Sequence, residues 1–419
     1  MSTVKSARIL GSLAAVSMLL ALAACGGSSS KSTLTIHPSS GPRHVQALMF
    51  QTRSPLPSTF FSNVLPNITG VAVPMNWDDI ETSNSNNTGS GGYDFSSFDA
   101  SLQPYLNAGA KVNLIVWPAT EGGSNNSTPS YVFSAAYAAS LPGSPNPQDM
   151  SVCGDYHGDS SNPFYSQATS GGGGHWNINA STDLSGLPVS YELPFMTAYQ
   201  AFIAKVVAHY NLSTSPPIGY IRFGMSQGGE SSPECNQYWP NYSETTYIGY
   251  VTTMTQFITE KNPSMTILQD LHAVGDPPNP DYTYADQEAA LAVANKEGFG
   301  TNGLQKSDTT AATCDSDWCA MFAQYGSTVY GTTPITLSLQ TLEWTDPTGA
   351  AQTGSLTVLE PFAKANGANN LELYLADVGL AFDPSNYCGY LPPSAGCPSF
   401  SPSQYSSAYA SAIQDFLAP

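Results

Sequence analysis

From residue 44 onward the chain repeats one pattern: a short apolar run, then a longer stretch with apolar residues at helical spacing. The runs HVQALMF (44–50), GVAVPMNW (70–77), KVNLIVW (111–117), IGYIRFG (218–224), MTILQDLH (265–272), GFGTNGLQ (298–305), PITLSLQT (334–341) and LELYLADV (371–378) read as strands. FSSFDASLQPYLNAG, PFMTAYQAFIAKVVAHY, TTYIGYVTTMTQFITEK, ADQEAALAVANKEG, SLTVLEPFAKANG and the closing SQYSSAYASAIQDFL read as helices. Strands alternating with helices pair in parallel, and eight of them close into a barrel. The fold class expected is α/β, a single (β/α)8 TIM barrel over residues 43–419. The sixth run, rich in glycine, is the least strand-like.

In such a barrel the loops after the strands build the face that carries chemistry. Long segments follow the third, fourth, sixth and eighth runs. The longest is an insertion over residues 121–193 that holds GGGGHW (171–176). That motif neither follows a strand nor opens a helix, so it reads as a hinge or lid and not as a phosphate loop. Cys153, Cys235, Cys314, Cys319, Cys388 and Cys397 fall in the same loops. An even number in an exported chain suggests disulfides. Short spacing pairs Cys314 with Cys319 and Cys388 with Cys397, which leaves Cys153 with Cys235. No CxxC pair or spaced histidines accompany them, so neither a metal nor a cofactor is expected.

Ahead of the barrel, Lys5 and Arg8 precede the apolar run Ile9 to Ala24, a targeting pattern. Leu22-Ala23-Ala24-Cys25 resembles the lipobox of bacterial lipoproteins. That resemblance implies a signal peptide over 1–24, lipidation of Cys25, and a flexible tether over 25–42. An ordinary secretory signal is the alternative. No second apolar run approaches the roughly 20 residues of a membrane span, so the lipid would be the only membrane contact of an exported, envelope-anchored body.

Charged residues make up only 10% of the chain, and its formal net charge is −19. Loss of the leader, with Lys5 and Arg8, would deepen the imbalance. Such a chain repels phosphate backbones, which argues against nucleic acid as a partner. The abundance of Gly, Ser, Thr, Asn and Tyr suits a neutral polymer such as a glycan, handled by a monomer.

All six tryptophans, Trp77, Trp117, Trp176, Trp239, Trp318 and Trp344, fall at or shortly after predicted strand ends, and none falls in a predicted outer helix. Indole faces are stacking platforms for sugar rings. Splitting a glycosidic bond also takes two carboxyl groups that face each other across the sugar. Glu230, after the fourth run, and Glu343, at the end of the seventh, come from nearly opposite sides of a barrel.

IRFGMSQGGESSPECNQYWP (221–240) and LSLQTLEWTD (337–346) resemble the two glutamate motifs of β-amylases. The resemblance implies that Glu230 is the general acid and Glu343 the general base of an inverting glycoside hydrolase. GVAVPMNWDDIE (70–81) and YDFSSFDASLQPYLNAGAKVNLIVWPATEGGSNNSTPSYV (93–132) look like the second and third strands of that family. The chain departs from it in lacking the second glycine of the first motif and the aspartate beyond Gly122-Gly123. Trp77 with Ile80-Glu81, then Tyr93-Asp94-Phe95 and Asp99, is similar to clan A barrels such as the β-galactosidases, which implies retention instead. A barrel that binds carbohydrate without turnover is the alternative from another class.

Around the pair, the expected sugar ligands are Trp77, Asp78, Asp79, Trp117, Glu121, Trp176, Arg222, Gln227, Trp239, Asp270, His272, Gln340, Trp344 and Asp377. Arg222, one of few basic residues, would hold a carboxylate ionised if it lies inside the barrel. Gln340, at the end of the seventh run, competes with Glu343 for facing the substrate, though as an amide it can be neither base nor nucleophile.

Overall fold

Branched and aliphatic residues at every second strand position give each strand one face for a helix layer, and the intervening residues turn the other way. The structure, a computed structural model, describes residues 42–50, 55–119, 127–143, 151–153, 187–210, 218–226, 229–231, 242–261, 267–271, 283–310, 317–392 and 395–419. Within them, β1 (His44–Leu48), β2 (Gly70–Asn76), β3 (Lys111–Trp117), β4 (Ile218–Phe223), β5 (Ile267–Asp270), β6 (Gly298–Leu304), β7 (Leu337–Thr341) and β8 (Asn370–Tyr374) pair in sequence order. All these pairings are parallel, and β8 pairs back onto β1. The result is a curled, TIM-like α/β sheet.

The outward positions, among them Val45, Val71, Val112, Leu114, Val116, Ile221, Phe223, Phe299, Leu337, Leu339 and Leu371, join one core with the surrounding helices. These are α1 (Ser96–Asn107), α2 (Leu193–Tyr210), α3 (Glu244–Lys261), α4 (Thr283–Ala294), α5 (Asp317–Tyr325), α6 (Leu356–Ala365), α7 (Leu375–Phe382) and α8 (Ser406–Leu417). The connection from β1 to β2 breaks the repeat, with a π-helical turn (Phe60–Val64) and a 3-10 turn (Leu65–Asn67) in place of an α-helix.

The seam between the first and last strands is bonded at both ends. At the end where β1 begins, the Arg43 guanidinium donates to the Ala418 carbonyl at 2.6 Å. At the other end Asp383, after α7, accepts from Thr59 at 2.5 Å and from Tyr390 at 2.7 Å.

Three differences from the sequence reading have physical reasons. LELYLADV is not all strand: it turns helical at Leu375, because α7 is buried on nearly every side and so shows no period to separate helix from strand. Helix α5 was not expected, and it carries Trp318, which packs edge-on against Phe322 and Phe362 outside the strand ring. The glycine-rich sixth run is a full strand, and Gly300 is what lets it approach β7. A Cβ there would lie 2.5 Å from the Ser338 carbonyl oxygen.

Within the 121–193 insertion, a 3-10 turn (Ser130–Phe133), a short helix (Ala135–Ser140) and an antiparallel pair of Ser151–Cys153 with Leu187–Pro188 are described. Cys388 and Cys397 form a disulfide, with Cα atoms 5.3 Å apart. Cys319 is also disulfide-bonded. Cys314 and Cys235, the Cys153 side chain and residues 25 to 41 lie outside the described residues.

Candidate active site

Strand β4 ends at Phe223, and the chain then doubles back so that the amides of Met225 and Ser226 donate to the Glu230 carbonyl, at 2.8 and 3.3 Å. Three tyrosines on the outer helices hold this turn by its backbone. Tyr199 of α2 donates to the Gly224 carbonyl at 2.7 Å. Tyr250 and Tyr247 of α3 donate to the carbonyls of Met225 at 2.5 Å and Ser231 at 2.9 Å. Burial pushes all three phenols above their usual range, which keeps each hydroxyl a donor. Gly229 is required by close approach, since a Cβ there would lie 2.2 Å from the Ile115 side chain and 3.1 Å from Arg222 Nε.

The turn delivers Glu230, half-buried, into a cavity of about 210 Å³ at the C-terminal ends of the strands. Its Oε1 accepts from the Asn302 amide. Asn302 sits where the β6–β7 register shifts between Asn302 and Leu304, and Gly303 takes φ +114° there. A bulge of this kind re-aims a side chain next to a site.

The cavity has a polar and an apolar half. Arg222, Gly229, Glu230, Asn302, Gly303 and Gln340 from β4, β6 and β7 form one. Leu48, Phe50, Ile115, Trp117, Leu342 and Tyr374, from β1, β3, β8 and the segment after β7, form the second. Phe50 and Trp117 pack with ring centroids 4.9 Å apart, and Trp344 stands edge-on to Tyr374 at 6.4 Å.

Below the cavity the interior is ionic. Arg222 Nη1 donates to Glu372 Oε2 at 3.2 Å and Nη2 to Gln340 Oε1 at 3.0 Å. Tyr220 donates to Glu372 Oε1, and Ser338 reaches the same oxygen at 3.4 Å. Glu372 is fully buried, and these partners supply the hydrogen bonds that water would otherwise give it. Burial and the Glu372 charge together push the Tyr220 phenol well above its usual range. The carboxylate that Arg222 pairs with is thus Glu372, a residue the sequence reading passed over.

The other expected residues separate into groups. Trp117 and Gln340 line the cavity with Arg222 and Glu230. Trp77 does not: it is fully buried, stacks on Phe202, and donates its indole N–H to Glu81 at 2.6 Å. Its reading as a sugar platform is corrected on that ground, because the short helical turn Trp77–Ile80 points the indole back into the helix layer. Asp78 and Asp79 lie exposed in that turn, where Asp79 accepts from Asn76 at 2.9 Å, and neither lines the cavity. Desolvation and the neighbouring Asp79 charge push the Asp78 carboxyl up to about 6.

Glu343 is half-buried, and its Oε1 accepts from Thr353 Oγ1 at 3.3 Å. The residues of this segment that line the cavity are Gln340 and Leu342, so Glu343 is out of phase with them. The structure therefore does not bring the Glu343 carboxylate into the cavity beside Glu230.

Asp377 is 1% exposed at the start of α7 and accepts from the Thr345 amide and hydroxyl, at 2.8 and 2.7 Å. Burial, partly offset by those bonds, pushes its carboxyl up to about 7. It lies behind the rim and not in the cavity. Asp270 ends β5 opposite Gly300, with its side chain outside the described residues. Glu121, Trp176, Gln227, Trp239 and His272 also lie outside them. Among the described residues no group of three His, Cys, Asp or Glu is placed to hold a metal ion.

Sequence reasoning missed Asn302, Glu372, Phe50 and Tyr374. Two of them carried a signal: Asn302 is a lone amide between glycines in a strand, and Glu372 a lone charge in an apolar one.

No protein-family model matches this chain. No curated protein matches it by sequence. Among solved structures, the catalytic domain of a β-amylase from Paenibacillus polymyxa is similar over 90% of this chain and 100% of that one, with TM-score 0.51 at 10% identity. An endo-1,4-β-mannanase from Rhizomucor miehei covers 91% and 99%, with TM-score 0.48 and 13% identity. One from Thermotoga petrophila RKU-1 covers 90% and 99%, with TM-score 0.44 and 10% identity. At these identities the likeness is one of fold, and the first of them supports a TIM-like α/β fold for this chain.

Proposed function

We propose that the chain is a (β/α)8-barrel glycoside hydrolase that cleaves a neutral oligo- or polysaccharide, with Glu230 as the proton donor to the glycosidic oxygen. One observation carries the reading: Glu230 enters a cavity at the C-terminal mouth whose lining combines polar side chains with aromatic and aliphatic ones. A pyranose has the matching character, with hydroxyls at its edge for Asn302, Gln340 and Arg222 and a C–H face for Phe50, Trp117 and Tyr374.

The second carboxylate in this reading is Glu343, one residue past the cavity-lining Leu342. Its carboxylate lies against Thr353 in the free protein, so this role requires the side chain to turn toward the sugar. There it takes a proton from the water that attacks the anomeric carbon while Glu230 protonates the departing oxygen, which inverts the anomer. Inversion needs the carboxyl groups about 6.5–9.5 Å apart with substrate bound, retention about 5–5.5 Å. The β-amylase motif at Glu343 supports inversion.

The test is hydrolysis of a panel of α- and β-glycans with detection of the product anomer, for the wild type, Glu230→Gln and Glu343→Gln. Loss of turnover in Glu230→Gln, with binding kept, is expected. Wild-type hydrolysis unchanged in both variants overturns the assignment. The placement of the Glu343 carboxylate on Thr353 favours a second reading, a carbohydrate-binding barrel without turnover. Binding of a glycan with no hydrolysis across the panel would establish that reading instead.

The lipobox-like Leu22-Ala23-Ala24-Cys25 supports an exported protein anchored to the bacterial envelope through Cys25. Metabolic labelling with a fatty acid, lost in Cys25→Ala, tests this. Among the described residues no helix is long and apolar enough to cross a membrane.

A further inference from the structure

The segment that follows β7 is held on both sides of two residues. On one side the Tyr374 hydroxyl donates to the Leu342 carbonyl at 3.2 Å. On the other, Thr345 gives Asp377 Oδ1 both its amide, at 2.8 Å, and its hydroxyl, at 2.7 Å. Glu343 and Trp344 lie between these holds.

The bonds have a direction. The single Thr345 hydroxyl proton goes to Asp377, so in the 2.8 Å contact of Thr345 with Tyr409 the phenol is the donor. Tyr409 of α8 also accepts from the Leu356 amide at 3.5 Å, where the segment ends and α6 begins. Between those points Asp346 accepts from the amides of Thr348, Ala350 and Ala351, each at 2.9 Å. The turn is thus braced internally and fastened to α7 and α8.

Asp377 is 1% exposed, and its Oδ1 takes both bonds from Thr345, so the hold on the segment is set inside the core and not by solvent-facing groups. We propose that Asp377 is a positioning residue, which acts through Thr345 to fix Glu343 and Trp344 at the rim of the cavity, with Tyr374 fixing the same pair from the other side. The inference rests on the proposed role of the Glu343–Trp344 pair in glycan hydrolysis, and it gives Asp377 a part in catalysis with no contact to substrate.

The experiment uses the full chain labelled with 5-fluorotryptophan, with the Trp344 resonance assigned by Trp344→Phe. It compares wild type, Asp377→Ala, Asp377→Asn and Thr345→Val, the last keeping the backbone bond and the side-chain shape. Kinetics use the panel substrate that the wild type hydrolyses best. In Asp377→Ala, kcat is expected to fall about 10- to 100-fold with a much smaller change in KM, the scale of a misplaced group. The Trp344 resonance shifts or broadens, Thr345→Val shows a smaller effect of the same kind, and Asp377→Asn recovers most of the activity. Wild-type kcat and an unmoved Trp344 resonance in both Asp377→Ala and Thr345→Val overturn the proposal. So does loss of kcat in direct proportion to lost folded protein. Failure of the hydrolase reading shows separately: Glu343→Gln then turns over like wild type, while the Trp344 resonance still moves in Asp377→Ala.

Discussion

Asn302 donates its amide to the Glu230 carboxyl group, joining a bulge on β6 to the turn after β4. Neither residue can take up that geometry alone. The bulge turns Asn302 inward, and Gly229 brings Glu230 within reach.

Replacing Asn302 by leucine therefore removes the amide's bond to Glu230, worth roughly 0.5–1.5 kcal/mol. Activity on the substrate found in the panel is expected to fall about 10- to 100-fold, with a change in thermal midpoint of a few degrees at most. Steady-state kinetics beside a melting curve checks both halves.

Gly229→Ala places a methyl group 2.2 Å from the Ile115 side chain. Overpacking of this kind costs about 1–3 kcal/mol. Ile115→Ala opens the space, so the double variant is expected to be more stable than the two single losses predict. Denaturant midpoints in a double-mutant cycle measure the coupling.

Arg222 and Glu372 are a buried ion pair, 6% and 0% exposed. Glu372→Gln strands the Arg222 charge and is expected to cost about 3–5 kcal/mol. Arg222→Met in the same chain removes that charge and leaves an amide to accept from Tyr220, so the double variant recovers most of the stability. Its cavity floor, now without the guanidinium on Gln340, is expected to bind the glycan more weakly. Urea denaturation and a binding isotherm separate the two effects.

Glu297, 2% exposed just ahead of β6, is pushed up to about 8 by burial, against a stabilising bond from Thr259 at 2.8 Å. Because its proton is held more tightly in the folded state, its contribution is full below the unfolded value near 4.5 and is lost as pH rises through about 8. The loss is on the order of 4 kcal/mol across that window. Glu297→Gln is expected to flatten the fall in stability between pH 5 and pH 9, read from urea midpoints at the two ends.

The strand ring was legible because its outer face must alternate, and runs such as KVNLIVW kept β-branched and aliphatic residues where the helices pack. That Glu230 lines a cavity was legible for a related reason: a charge soon after an apolar strand and two glycines has few structural excuses. Trp77 misled because an indole after a strand looks the same in sequence whether it faces the mouth or turns back beneath a helix. The interior pair of Arg222 with Glu372 was half visible, since pairing across the ring joins residues 150 apart that no local pattern connects. Asn302 depended on a bulge, which changes side-chain direction without changing composition.

The contact of Arg43 with Ala418 puts both ends of the described chain on the side where β1 starts. The cavity opens at the other end of the axis. A bead, a fusion partner or a surface coupled at Pro419 therefore meets the protein from behind. Joining Pro42 to Pro419 with a short linker, and cutting the chain elsewhere, should leave the Glu230 cavity untouched.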